Sequence, residues 1–130
     1  MKRKIVSVVL VIALVASIAI PAFAVSATGP HNGNNYDLTL TLSSTRALAT
    51  FGYSDSEASL RCSVTGEIWY AAEGRYVSCE PGVATGLSQV AAIGTNLAYV
   101  NGVAIQNTLH SATTTARADG SLVKTLSALY

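Results

Sequence analysis

The chain has 130 residues with eight Lys and Arg against seven Asp and Glu, and only 12% of it is charged. Past Lys2, Arg3 and Lys4 the basic residues Arg46, Arg61, Arg75, Arg117 and Lys124 are scattered, so no basic stretch offers itself to nucleic acid or an anionic membrane surface. A chain this short holds one domain, because two would each be too small to bury a sufficient core.

Residues 1–24 read as a secretory signal. Met1-Lys2-Arg3-Lys4 is its charged start, and residues 5–20 are apolar apart from Ser7 and Ser17. Ala22-Phe23-Ala24 then supplies the small-x-small pattern that a signal peptidase reads. A retained anchor competes with this reading, since residues 5–24 approach the ~20 apolar residues that span a bilayer. Pro21, the small residues at the cleavage positions and the polar Ser26-Ala27-Thr28-Gly29 favour cleavage after Ala24. No Cys lies near the cut, so a lipid anchor of the bacterial type is not indicated, and no membrane span remains in the mature chain. Cleavage removes three of the eight basic residues and none of the seven acidic ones, which leaves a net charge of −2 on residues 25–130. The destination is extracellular, or periplasmic if the source has an outer membrane. In that oxidising setting Cys62 and Cys79 are expected to form a disulfide.

Residues 25–35 are rich in Ser, Gly, Pro and Asn and read as a flexible arm. From Tyr36 the pattern becomes strand-like, with Tyr36, Leu38, Leu40 and Leu42 alternating with polar neighbours. Residues 46–53 form a second strand, with Ala47, Ala49, Phe51 and Tyr53 on one side. The polar group from Ser54 to Glu57 is a turn, after which Ala58, Leu60, Cys62 and Val64 alternate along a third strand. Gly66 reads as another turn. Residues 68–72 and 75–79 flank Glu73-Gly74 as a hairpin, which Glu80-Pro81-Gly82 closes.

Residues 83–100 fit both helical and alternating spacing, and Gly94 tips them toward strand. Asn101-Gly102 is a two-residue hairpin turn between residues 96–100 and 103–109, because both residues tolerate positive φ. Asp119-Gly120 repeats the signal between residues 110–118 and 121–130, a pairing that sets Thr113 opposite Leu126 and Leu109 opposite Tyr130. The expected fold is all-β, an antiparallel sandwich or small barrel of about eight short strands at residues 36–130.

Catalytic constellations are thin. Gly52-Tyr53-Ser54-Asp55-Ser56 and Gly86-Leu87-Ser88-Gln89-Val90 both lack the final glycine of G-x-S-x-G. Only His31 and His110 could serve as a base, and His110 reads as a solvent-facing or packing residue. No His, Cys or carboxylate pair has zinc spacing. The segment from His31 to Asp37 is rich in oxygen donors but lacks the ligand alternation of a calcium loop. Glu67, Glu73 and Glu80 lie in or near turns, where acids are ordinarily just solvated. The feature that remains is aromatic. Trp69, Tyr70 and Tyr76 occupy one hairpin, and because adjacent strand residues face opposite ways, Trp69 and Tyr70 cannot both enter a one-sided core. One exposed ring among them could stack on a sugar or anchor a protein.

The reading that follows is a secreted, non-enzymatic recognition or adhesion module. It needs no cofactor or metal, binds an unknown protein or glycan partner at Trp69, Tyr70 and Tyr76, and does not bind nucleic acid. The alternatives are a self-associating extracellular structural subunit and a small secreted toxin or bacteriocin-like protein.

Overall fold

The computed structural model describes residues 23–130, so all but the last two residues of the leader read at residues 1–24 lie outside the described residues. These residues form β-strands joined by turns, with no helix among them. The first sheet has the order β1-β2-β3-β7, built from β1 (Phe23–His31), β2 (Asn34–Leu42), β3 (Arg46–Tyr53) and β7 (Gln89–Thr95). The second has the order β11-β10-β4-β5, built from β11 (Ser121–Leu129), β10 (Leu109–Ala118), β4 (Leu60–Tyr70) and β5 (Arg75–Ser78). The short β6 (Gly82–Gly86) also pairs with β4. A separate hairpin joins β8 (Leu97–Val100) to β9 (Val103–Gln106). Every pairing is antiparallel.

One core lies between the two sheets. Leu38, Leu40 and Leu42 of β2 and Ala47, Ala49 and Phe51 of β3 meet Leu60, Cys62, Val64 and Ile68 of β4 and Ala112 and Ala116 of β10. Period-two alternation decides this partition, since each inward residue is followed by an outward one. Thr114 is the polar intruder on the inner face and is fully buried. Its hydroxyl donates to Ser63 O at 2.8 Å, so burying it leaves no polar group unsatisfied.

Several expectations require correction. Residues 25–35 are not an arm: β1 pairs along its whole length with β2, and Asn32-Gly33 forms the turn between them, with φ of 50° and 78°. An Asn-Gly pair with both φ values positive is the type I′ geometry that closes two-residue hairpins. Gly66 does not turn the chain either, because β4 runs through it without a break and joins two segments read as separate strands. With β1, β6 and the divided segment after residue 83, the strands among the described residues number eleven, more than the expected eight. Residues 83–100 are strand, as Gly94 implied, with breaks at residues 87–88 and 96.

Cys62 and Cys79 are not bonded to each other, which corrects the expected disulfide. The register explains why. Cys79 donates its N–H to Gly66 O at 2.7 Å, one step past the Glu67–Ser78 pair, whereas Cys62 lies opposite Ala84 and Ala116. Four residues of β4 separate the two positions, about 13 Å at ~3.3 Å per residue. A disulfide holds its Cα atoms within about 7 Å. Both thiols are buried. Burial raises the Cys62 thiol pKa, partly offset by its contact with Thr114, and pushes Cys79 up to about 11 with help from the Glu67 carboxylate.

At the side opposite β1 and β11, β6 and β7 pinch the sheets together. A Cβ on Gly82 would lie 1.9 Å from Ile93 O, so only glycine lets the two backbones approach this closely. Replacing Gly82 with Ala is therefore expected to destabilise by about 3 kcal/mol or more. Gly74→Ala, which meets nothing within 4 Å, is expected to cost only about 1 kcal/mol from its positive φ. Urea melts of the two variants check the difference.

Thiol counting tests the register. Under denaturing, non-reducing conditions the expected result is two free thiols per chain. In the folded protein a raised thiol pKa means a smaller thiolate fraction at any given pH, so labelling should lag that of the unfolded chain and speed up only as pH rises. An absence of thiols in the denatured chain would contradict the β4–β5 register.

Candidate functional site

Along β4 the inward residues are Leu60, Cys62, Val64, Gly66 and Ile68, which places Trp69 outward and Tyr70 inward. The structure thus separates the two neighbouring rings. Tyr70 packs against the core, while Trp69 is 42% exposed. Tyr76 is directly across from Trp69 on β5 and equally open at 44%. The two rings meet edge to face, centroids 4.9 Å apart at 67°.

His110 joins them through an irregularity in the ladder. On β10, Leu109 pairs with Ile68 and Ser111 with Glu67, leaving His110 with no residue opposite it. A bulge of this kind re-aims a side chain. The imidazole stacks on Tyr76 at 4.4 Å and 23°, although β4 lies between their strands. Gly66 makes the bulge possible, since a Cβ there would meet Ser111 O at 2.9 Å and Leu109 Cδ2 at 2.6 Å.

The row continues past His110. Tyr130 donates its N–H to His110 O at 2.8 Å, and its ring meets Phe23 edge on at 5.6 Å. Asn107 anchors the other flank, donating from Nδ2 to Trp69 O at 3.0 Å and accepting the Thr108 N–H on Oδ1 at 2.9 Å. Trp69, Tyr76, Asn107, Thr108, His110 and Tyr130 line a shallow cavity of about 230 Å³. Ring contacts of these kinds contribute about 0.5–1.5 kcal/mol each, so the row is held in place before anything binds.

Beside the rings, the outer face of the second sheet is a small grid of hydroxyls. Thr65, Thr113 and Ser127 form one cross-strand row, and Ser63, Thr115 and Thr125 the next. Thr113 and Ser127 are 3.0 Å apart, Oγ1 to Oγ. Each hydroxyl both donates and accepts, so such a grid suits a partner that presents many hydroxyls of its own.

The other residues singled out from sequence do not converge on this face. His31 lies at the end of β1, its Nε2 3.2 Å from Ser121 Oγ, with Asn32 Nδ2 as its other neighbour. No carboxylate holds that ring, and the triad logic requires one. Ser54 accepts the Asn35 N–H and donates to Asn34 Oδ1, which makes it a turn residue. Glu73 forms an ion pair with Arg75 at 2.6 Å, and Glu80 is exposed in the loop after β5. Among the described residues, no three of His, Cys, Asp and Glu stand close enough to hold a metal ion.

Sequence reasoning singled out Trp69, Tyr70 and Tyr76 and missed His110 and Tyr130, which the structure places beside Trp69 and Tyr76. Gly66, a glycine inside an alternating run, was the signal available, because it marks a bulge or close backbone approach on the partner strand.

The split between Trp69 and Tyr70 has a direct thermodynamic test. Tyr70→Ala removes a ring packed on the core and is expected to cost about 2–3 kcal/mol, whereas Trp69→Ala is expected to cost about 1 kcal/mol or less. Equal losses of Tm would mean that both rings are buried.

Compared with protein-family models, curated protein sequences and solved structures, the chain matches none, and the function of this face is to be argued from its geometry.

Proposed function

We propose that the chain is exported by its amino-terminal signal and acts outside the cytoplasm as a non-enzymatic recognition or adhesion module that binds a glycan through the Trp69–Tyr76–His110 row. The carrying observation is that the Tyr76 ring touches both Trp69 and the half-buried His110, that Trp69 and Tyr76 stay open to solvent, and that all three sit on paired strands. A sugar presents a flat apolar C–H face rimmed by hydroxyls. Aromatic faces suit the first, and the adjoining Ser and Thr grid suits the second. Because the rings are already ordered, binding loses little side-chain entropy, which is where a shallow site otherwise loses affinity. Cleavage after Ala24 would trim Phe23 and Ala24 from β1, whose remaining residues pair with Asn34 to Leu40.

Assembly through strand edges receives less support. β5 has four residues and β6 five, and β1 carries Pro30, all devices that blunt an edge against further pairing.

The test takes the protein from the culture supernatant of an expressing bacterial host, where its mass should correspond to residues 25–130. Binding to a panel of immobilised polysaccharides is then compared across variants. Trp69→Ala and Tyr76→Ala are expected to weaken binding at least tenfold with little change in Tm. Tyr99→Ala, which removes an exposed ring on the β8–β9 hairpin, should leave it unchanged. Equal losses for all three variants, or no binding to any glycan, would overturn the proposal.

A further inference from the structure

At the other end of the same face, β4 and β10 bring together two residues far apart in sequence. Arg61 lies directly opposite Arg117, and Thr85 of β6 flanks Arg61 on its other side. Both arginines are exposed. Among the described residues the only ion pair joins Arg75 to Glu73, so no carboxylate oxygen lies within 4.0 Å of either guanidinium. Asp119 is the acid closest in sequence to Arg117, and its Oδ1 accepts the Ser59 N–H at 2.8 Å. Arg117 reaches only the carbonyl of Gly120, from Nη1 at 3.5 Å. Ser59, Arg61, Thr85, Leu87, Arg117 and Gly120 surround a cavity of about 460 Å³.

Like charges directly across a sheet repel and destabilise the pair. Residues 23–130 hold only five Lys and Arg side chains, and two of them stand here side by side with no carboxylate in ion-pair contact. A guanidinium is a planar fork matched to a carboxylate or sulfate, and two forks on one cavity can share a single anion. We propose that Arg61 and Arg117 form an anion clamp, so that the glycan taken by this face is acidic and bears carboxylate or sulfate groups. This deepens the glycan reading and rests on it.

The face then has a direction. Along β4 the outward residues run Trp69, Glu67, Thr65, Ser63, Arg61, eight residue steps or roughly 26 Å at ~3.3 Å each. Rings stand at one end, hydroxyls in the middle and guanidiniums at the other. Glu67 sits outward on β4 two residues from Trp69 and disfavours an anion at that end, where Glu73 is neutralised by Arg75, while the clamp attracts it at the far end. A chain of sugars laid along β4 would therefore stack at Trp69 and place an acidic substituent at Arg61 and Arg117.

Two measurements on the mature protein test the clamp. In the first, binding to polygalacturonate (carboxylate), dextran sulfate (sulfate) and neutral dextran is compared at low ionic strength. The wild type is expected to favour at least one acidic polymer tenfold or more over dextran, and the polymer preferred identifies the anion. Arg61→Gln and Arg117→Gln should abolish that preference. Arg117→Gln should also raise the Tm slightly by relieving repulsion, which shows that the variant is folded. Loss of binding in Trp69→Ala with the acidic preference intact in both Arg variants would overturn the clamp and leave the ring row standing. Loss only in the Arg variants would uphold the clamp and remove the ring row. The second measurement needs no glycan: the Arg Nε–H resonances are followed by NMR during titration with sodium sulfate at constant ionic strength. Saturable shifts at Arg61 and Arg117, absent at Arg46 and Arg75, support the clamp. No saturable shift at either residue would overturn it even if polysaccharide binding is observed.

Discussion

Strand β4 pairs with β10 along one edge and with both β5 and β6 along the other, and its inner side chains pack over β3 and β7. Strict alternation along this one strand therefore does two jobs. Leu60, Cys62, Val64 and Ile68 close the core, and the residues between them form the spine of the outer face from Arg61 to Trp69. Because the side-chain period is two, a one-residue slip of β4 would bury Arg61 and Glu67 and expose the core set together. Fold and candidate site are thus fixed by the same register, and neither can drift without the other.

The inner faces set small residues among the large ones. Ala47 and Ala49 of β3, Ala92 of β7 and Ala112 and Ala116 of β10 are all buried to within 1% of full enclosure. Larger side chains there would overpack the interior, as Gly82 illustrates against Ile93. The outer faces show the complementary economy. They carry Ser and Thr more than charge, so the rings and the two arginines stand out against rows of hydroxyls. Thr and Ser also suit the strands themselves, since β-branched residues pack well on a pleated surface.

Much of this architecture was legible in the chain. The Leu38, Leu40 and Leu42 alternation gave β2 and its buried face, and the Asn101-Gly102 and Asp119-Gly120 pairs gave two hairpins at their correct turns. Exposure of one ring from the Trp69–Tyr70 pair followed from strand geometry alone. The missed pieces have specific causes. β1 lacks alternating large apolar residues because it is an edge strand with half its surface open, and its Asn32-Gly33 turn was hidden inside a polar stretch. The β10–β11 register was read one residue out, with Leu126 placed opposite Thr113. Ladder irregularity between Ala116 and Arg117 leaves Val123 unpaired, so Leu126 faces Thr114 instead. The expected disulfide failed for a reason of the same sort: export favours cystines in general, but only the register says whether two cysteines can meet.

Both ends of the candidate face coincide with irregularities on β10, and this follows from what a regular sheet can present. In an unbroken antiparallel ladder, side chains on one face stand in fixed rows separated by the strand spacing, which produces the hydroxyl grid at the centre. Bringing rings from β4, β5 and β10 into contact demands a departure from those rows, and the bulge at His110 supplies it against β4. The second irregularity, against β11, adjoins Arg117, so the strand beyond the arginine no longer follows the row spacing of the grid. Gly66 permits the first bulge, and the Asp119-Gly120 turn ends the strand just past the second. The sequence therefore places its most permissive backbone residues next to its least regular pairings, and the groups able to hold a ligand stand where the ladder gives way.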